Sequence, residues 1–144
     1  MKIKELGHIV LYVTDIKKLS KFYREILGFK QIAENESITI FSAGRTHHEL
    51  LLIEIGGKQK KKTLEPGLYH FGLKIGDRPE DLKSALEELI KNKVQIVGTG
   101  DHTITKSIYI KDPDGNEIEL YIDVTDEWKK NPRLLLTPVK ELRL

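Results

Sequence analysis

Five histidines and no cysteine set the terms for any metal chemistry in this 144-residue chain. Without thiolates there is no disulfide framework, no cysteine nucleophile and no sulfur-ligated ion, so a metal must sit on imidazole and carboxylate. His8, His70 and Glu119 form such a set. Two histidines and one carboxylate, with the other coordination positions left open, make a facial triad, the arrangement suited to non-haem iron(II) and oxygen chemistry. Tyr109 is the phenol that strand parity brings beside them.

Those residues need elements to aim them. From Leu6 to Val13, Ile9, Leu11 and Val13 alternate with His8, Val10 and Tyr12, the period of a strand. Thr14 or Asp15 offers an N-cap, and Ile16, Leu19, Phe22, Tyr23, Ile26 and Leu27 recur at helical spacing up to Gly28. Phe29 to Ala33, Ile38 to Ser42 and Leu50 to Ile55 read as three further strands, giving the order βαβββ. The pattern then begins again. Leu68 to Ile75 is a strand, Pro79 opens a helix through Leu82, Leu86, Leu89 and Ile90, and strands follow at Val94 to Val97, Ser107 to Ile110 and Glu117 to Val124. Asp112-Pro113-Asp114-Gly115-Asn116 is a turn-forming run between the last two.

An offset of 62 lays Gly7 to Asp15 over Tyr69 to Asp77 and matches His8 with His70, Leu11 with Leu73 and Asp15 with Asp77. The expected fold is α+β: paired βαβββ modules forming a curved mixed sheet around a metal-binding cleft. One domain spans residues 1–144, with repeat one at about 5–56, repeat two at about 67–124 and a tail at 125–144. Parity within each strand assigns the faces. Ile9, Leu11 and Val13 face a helix and send His8 to the cleft; Phe71, Leu73 and Ile75 do the same for His70. Ile118, Leu120 and Ile122 leave Glu117, Glu119 and Tyr121 on the cleft side, and Ile108 and Ile110 leave Tyr109 there. A lone inward histidine is ordinarily a hydrogen-bonded structural residue. What distinguishes these two is their equivalent place in a repeat.

The strand from Thr46 to Ile55 carries apolar residues at both parities, so its register is open. With Leu51, Ile53 and Ile55 in the core, His48, Leu50, Leu52 and Glu54 face the cleft and His48 is free for acid–base work. With Leu50 and Leu52 in the core, His47 and Glu49 face the cleft, and Glu49 can complete a four-ligand site. The first register is preferred, because the second buries Glu54 against a helix. In it, Leu50, Leu52 and Val10 supply an apolar wall for a ring.

Composition excludes several classes. The chain is 39% hydrophobic and 32% charged, with 24 basic against 22 acidic residues, an ordinary globular balance with no strong field for nucleic acid. The basic run Lys58 to Lys62, broken by Gln59, has no interleaved aromatics and reads as a solvated loop. No stretch approaches the roughly 18 apolar residues of a membrane span, and Met1 to Glu5 has no apolar leader segment, so a cytoplasmic location is expected. The tail from Trp128 to Leu144, with Leu134, Leu135, Leu136 and Leu142, is expected to cover a cleft edge or a neighbouring subunit. A homodimer is the default assembly.

On these residues the sequence resembles the vicinal oxygen chelate superfamily, which includes glyoxalase I, fosfomycin resistance proteins, methylmalonyl-CoA epimerase and type I extradiol dioxygenases. Within it the chain is most similar to catechol 2,3-dioxygenase-like proteins. Gly7 to Leu11, Arg45 to Leu50, Gly67 to Phe71, Asp101 to Tyr109 and Asp112 to Tyr121 carry the likeness. It implies iron(II) held by His8, His70 and Glu119, with His48 as an acid–base histidine. It also implies Tyr109 beside the oxygen and substrate oxygens, and His102 at the pocket mouth. The implied activity is ring cleavage of a small aromatic diol by dioxygen, through metal-lowered phenol acidity and a histidine proton acceptor. Two alternatives stand beside it: a glyoxalase-like lyase or isomerase using nickel, zinc or manganese, and a metal-free small-ligand-binding protein of the resistance type.

Overall fold

The computed structural model describes residues 1–58 and 66–143. The chain divides into two compact units, Met1–Lys62 and Thr63–Leu144. Apart from Lys58, the basic run read above as a solvated loop lies outside the described residues.

Unit one runs β1 (Ile9–Val13), α1 (Ile16–Lys21), a π-helical turn (Phe22–Ile26), β2 (Lys30–Glu34), β3 (Ile38–Ser42) and β4 (Leu50–Glu54). Its four strands lie in the order β1-β4-β3-β2, with β1 and β4 parallel and the other pairs antiparallel. Unit two repeats the plan: β5 (His70–Gly76), α2 (Pro79–Lys91), β6 (Gln95–Asp101), β7 (Thr105–Lys111) and β8 (Glu117–Asp123), in the order β5-β8-β7-β6. Again the first and last strands are parallel and the rest antiparallel. The repeat read from the sequence is thus a repeat of topology: two four-stranded mixed sheets, each backed by helix, and no closed barrel.

Local chemistry explains the elements. Asp15 caps α1 by accepting from the Lys18 N–H at 2.9 Å. The helix that the periodicity carries to Leu27 ends in a π turn, closed by Leu27 N–H on Phe22 C=O, and Gly28 at φ +71° turns the chain out. That ending buries the adjacent Phe22 and Tyr23 together, against Phe29 and Phe41. In unit two, Pro79 sits in the first turn of α2, and Asp81 accepts from the N–H groups of Asp77 and Arg78. Leu82 and Leu89 fill the core, but Ile90, part of the apolar pattern, is exposed. In the 112–116 turn, the buried Asp112 carboxylate accepts from the N–H groups of Asp114 and Asn116.

The predicted faces hold in β1, β5, β7 and β8. Leu11, Val13, Phe71, Ile108, Ile110, Ile118, Leu120 and Ile122 are buried. The register preferred for β4 is overturned. Leu50 and Leu52 are 2% and 0% exposed while Ile55 is 65% exposed, so the core set is the other parity. The objection to that parity was a buried Glu54. Its resolution is that Glu54 is not stranded against the helix: its Oε2 accepts from the Ile16 N–H at 3.1 Å, one of the donors that a helix N-terminus leaves unpaired. Leu50 and Leu52 therefore cannot line a ring-binding wall. On the helix-free face, Leu51 and Ile53 pair with Val10 and Tyr12.

Candidate metal centre

In unit two, β5 and β8 are parallel neighbours and β7 lies on the far side of β8, paired Tyr109 to Glu119 and Ser107 to Tyr121. Parity aims His70, Ser107, Tyr109 and Glu119 to one face, away from α2. His70 Nε2 stands 3.3 Å from Glu119 Oε2. The other carboxylate oxygen, Oε1, accepts from Ser107 Oγ at 2.6 Å and from Tyr109 Oη at 3.2 Å. Tyr109 Oη in turn meets His102 Nε2 at 2.8 Å. Since the phenol has one proton and gives it to Glu119, the consistent assignment makes His102 the Nε2–H tautomer donating to Tyr109. One carboxylate oxygen is thus held by two hydroxyls, and the other faces His70 Nε2.

The donor set fits a cation. Two ligands at about 2.1 Å from one ion and roughly a right angle apart lie about 3 Å from each other, close to the His70–Glu119 separation. The pair is hard oxygen plus imidazole nitrogen, suited to iron, manganese, zinc or nickel. His70 is aimed by packing: Tyr69 lies 4.7 Å and Tyr109 5.6 Å from its ring centroid, and its Nδ1 is buried without a hydrogen bond. Gly72, opposite Glu119, keeps the carboxylate unobstructed; a Cβ there would stand 3.3 Å from the Tyr121 ring. Tyr109 is pushed up to about 12 by burial first and by the Glu119 charge and hydrogen bond second, so it remains a protonated donor at neutral pH.

Unit one carries the remaining histidines. His8 immediately precedes β1, and the His48 ring packs on it with centroids 4.3 Å apart; His47 stacks against His48 at 4.4 Å and lies 6.2 Å from His8. His48 has the parity of the buried Leu50, but β4 begins only at Leu50, and the bend at Glu49 frees the imidazole to reach His8. Loss of water contact, together with His8 and His47, lowers the His48 pKa against a smaller opposing effect of Glu49, favouring a neutral ring. Arg45 fixes the approach to His8: its guanidinium bonds the carbonyls of Leu6 and Gly7 and pairs with Glu5 at 2.9 Å.

Glu49 and Glu54, the carboxylates a four-ligand site would draw on, are committed elsewhere. Glu49 accepts from the N–H groups of Ala43, Arg45 and Thr46 at 2.8–3.0 Å, and Glu54 caps α1. Among the described residues, no group of three or more His, Asp or Glu side chains is arranged to hold a metal ion. His8 stands beside His48 in the first unit, and His70 stands beside Glu119 in the second. Ser107 is the functional neighbour that sequence reasoning missed. Its signal was its parity, two residues before Tyr109 on a strand whose alternate positions are isoleucines.

The family model of the Glyoxalase/Bleomycin resistance protein/Dioxygenase superfamily matches residues 5–120, and the chain belongs to that superfamily, the vicinal oxygen chelate group its motifs resemble. It is 32% identical over 122 residues to a catechol-2,3-dioxygenase of Bacillus subtilis (strain 168), covering 82% of this chain and 41% of that protein. It is 31% identical over 121 residues to the metallothiol transferase FosB of Staphylococcus haemolyticus, covering 83% of this chain and 84% of that one. In structure it resembles the fosfomycin resistance protein FosX from Listeria monocytogenes, with a TM-score of 0.69 at 22% identity over 88% of this chain and 98% of that chain. The chain spans less than two thirds of the length of the dioxygenases it matches.

Proposed function

We propose that the protein is a metal-dependent enzyme that opens the ring of a catechol-like vicinal diol with dioxygen, using iron(II) held by His8, His70 and Glu119. The observation that carries the reading is the chain His102–Tyr109–Glu119 beside His70, a carboxylate ligand backed by a phenol and an imidazole. Such a chain of groups can move a proton beside a bound metal. When bound, the metal would supply electron transfer between diol and dioxygen and acidify a coordinated hydroxyl.

The chain's own residues do the rest. Neutral His48 accepts a diol proton and returns it to the product. Tyr109, held protonated, can turn its O–H from Glu119 towards developing negative charge while His102 donates to its oxygen. Ser107 keeps Glu119 oriented through its hydroxyl. Val10, Leu51 and Ile53 offer apolar surface on the helix-free face of unit one. Both atoms of dioxygen enter the ring-opened product, so no outside reductant is required. The proposal includes cytoplasmic residence and a homodimer; the exposed Leu135 and Leu136 support the latter. No helix among the described residues is long and apolar enough to cross a membrane.

A second reading, metal-dependent transfer of a thiol to a small electrophile, is supported by the FosB match, which covers 84% of that transferase. The nickel, zinc or manganese lyase reading is disfavoured by the commitment of Glu49 and Glu54 to backbone donors. The test is anaerobic loading with iron(II), then oxygen and a panel of catechols. A yellow ring-cleavage product supports the proposal. Absence of product from every catechol, with thiol addition to an epoxide under manganese, moves the assignment to the second reading.

A further inference from the structure

We propose that the C-terminal segment Thr137–Lys140 is a strap that positions His102, holding its imidazole in the hydrogen bond to Tyr109. The inference rests on reading this face of unit two as the catalytic face. After β8 the chain passes through two 3-10 turns, Glu127–Lys129 and Pro132–Leu136, and returns to the outer strand β6. There Lys140 and Asp101 exchange both backbone bonds, Asp101 N–H to Lys140 C=O at 3.0 Å and Lys140 N–H to Asp101 C=O at 2.8 Å. The tail thereby pairs the end of an otherwise free sheet edge at the residue preceding His102.

His102 stands in the short turn from β6 to β7, and that turn is under strain. Thr103 has φ +74°, a left-handed conformation that a β-branched residue rarely adopts. Such a residue persists only where its surroundings over-determine it. Within the turn, Thr103 N–H bonds Asp101 Oδ1 at 2.8 Å and His102 N–H bonds Thr105 C=O at 2.9 Å. The first anchor joins the two residues flanking His102 and the second holds His102 itself; Asp101 is the one the tail clasps.

Gly100 shows how closely strap and imidazole are fitted. A Cβ on it would stand 2.9 Å from Val139 Cγ1 and 3.1 Å from His102 Nε2. Glycine lets the strap's valine and the histidine ring both settle on bare backbone. Thr137 adds contact rather than a clasp: its hydroxyl donates to Leu134 C=O at 2.6 Å and lies 3.5 Å from His102 C=O. Lys106 Nζ reaches Arg143 C=O at 3.4 Å further along. The tail thus acts on the proton chain through His102 without touching Tyr109 or Glu119.

The test uses the full-length, metal-free chain above pH 8, where imidazole is neutral. Lys140→Pro removes the N–H that bonds Asp101, Lys140→Ala keeps it, and Gly100→Ala pushes Val139 and His102 apart without changing the tail. Long-range nitrogen–proton spectra of the His102 ring report its tautomer, and amide exchange reports the clasp. The expected result is a single Nε2–H tautomer in the wild type and Lys140→Ala, and mixed tautomers in Lys140→Pro and Gly100→Ala. Asp101 exchange should quicken roughly fivefold in Lys140→Pro, the factor one hydrogen bond is worth. An unchanged His102 signature in the folded variants overturns the strap. Because neither metal nor diol is present, that failure is separate from failure of the ring-cleavage proposal, which only product formation reads.

Discussion

Ser107 and Glu49 show how differently two polar side chains near the same chemistry can be employed. Ser107 is fully buried, and its hydroxyl spends its proton on Glu119. Hydrogen bonds of this kind orient a ligand and raise its availability, and losing one typically costs 10–100-fold in metal affinity. Ser107→Ala should therefore weaken iron(II) binding by roughly tenfold or more while leaving the fold intact, as read by anaerobic titration. Glu49 serves the backbone instead. Burial would raise its pKa, but hydrogen bonds from Ala43, Ser42, Thr46 and Arg45 outweigh burial and leave the carboxyl below its ordinary range. A carboxyl depressed on folding stabilises above its unfolded pKa, and that stability is lost as pH falls through the folded value. The wild type should thus lose stability on acidification below about pH 4.5, and Glu49→Gln should flatten that loss while costing about 1–2 kcal/mol at neutral pH, both by denaturant titration.

The strands divide sharply in how legible they were. In β1, β5, β7 and β8 one parity is the more apolar, so alternation assigned each of His8, His70, Tyr109 and Glu119 to the helix-free face of its own sheet. In β4, Leu50 through Ile55 are apolar except Glu54, and the deciding fact was a helix N-terminus waiting for that carboxylate. No periodicity in a single strand reveals a partner 38 residues away, as Ile16 is from Glu54. His48 packs on His8 although β4 does not extend to it: a bend delivers the ring. His102 had no strand pattern at all, and its hydrogen bond to Tyr109 needed coordinates. The register makes its own prediction. Leu52→Ala should cost about 2–5 kcal/mol as a core deletion, whereas Ile55→Ala should stay within about 0.5 kcal/mol. Glu54→Gln should cost about 1 kcal/mol through loss of the charged cap on α1, with an unchanged denaturant slope. Equal effects at Leu52 and Ile55 would restore the other register.

At the scale of the molecule, duplication explains why His8 and His70 stand at matching places in the two repeats. Each βαβββ unit has its parallel pair of first and last strands, and the histidine stands at the start of that first strand in both. Glu119 lies on β8, the last strand of unit two; in unit one the last strand, β4, carries leucine and isoleucine at its centre. We propose that the two units unfold as one domain, so calorimetry should give a single transition, and two separated transitions would contradict this. The central proposal is that His8 from one repeat and His70 with Glu119 from the other serve a single ion. Anaerobic calorimetric titration with iron(II) tests it most directly, comparing the wild type with His8→Ala, His70→Ala and Glu119→Ala. One site per chain, weakened about 100-fold or more by each substitution, is the predicted result. Wild-type affinity in His8→Ala, with loss only in the other two, would contradict it.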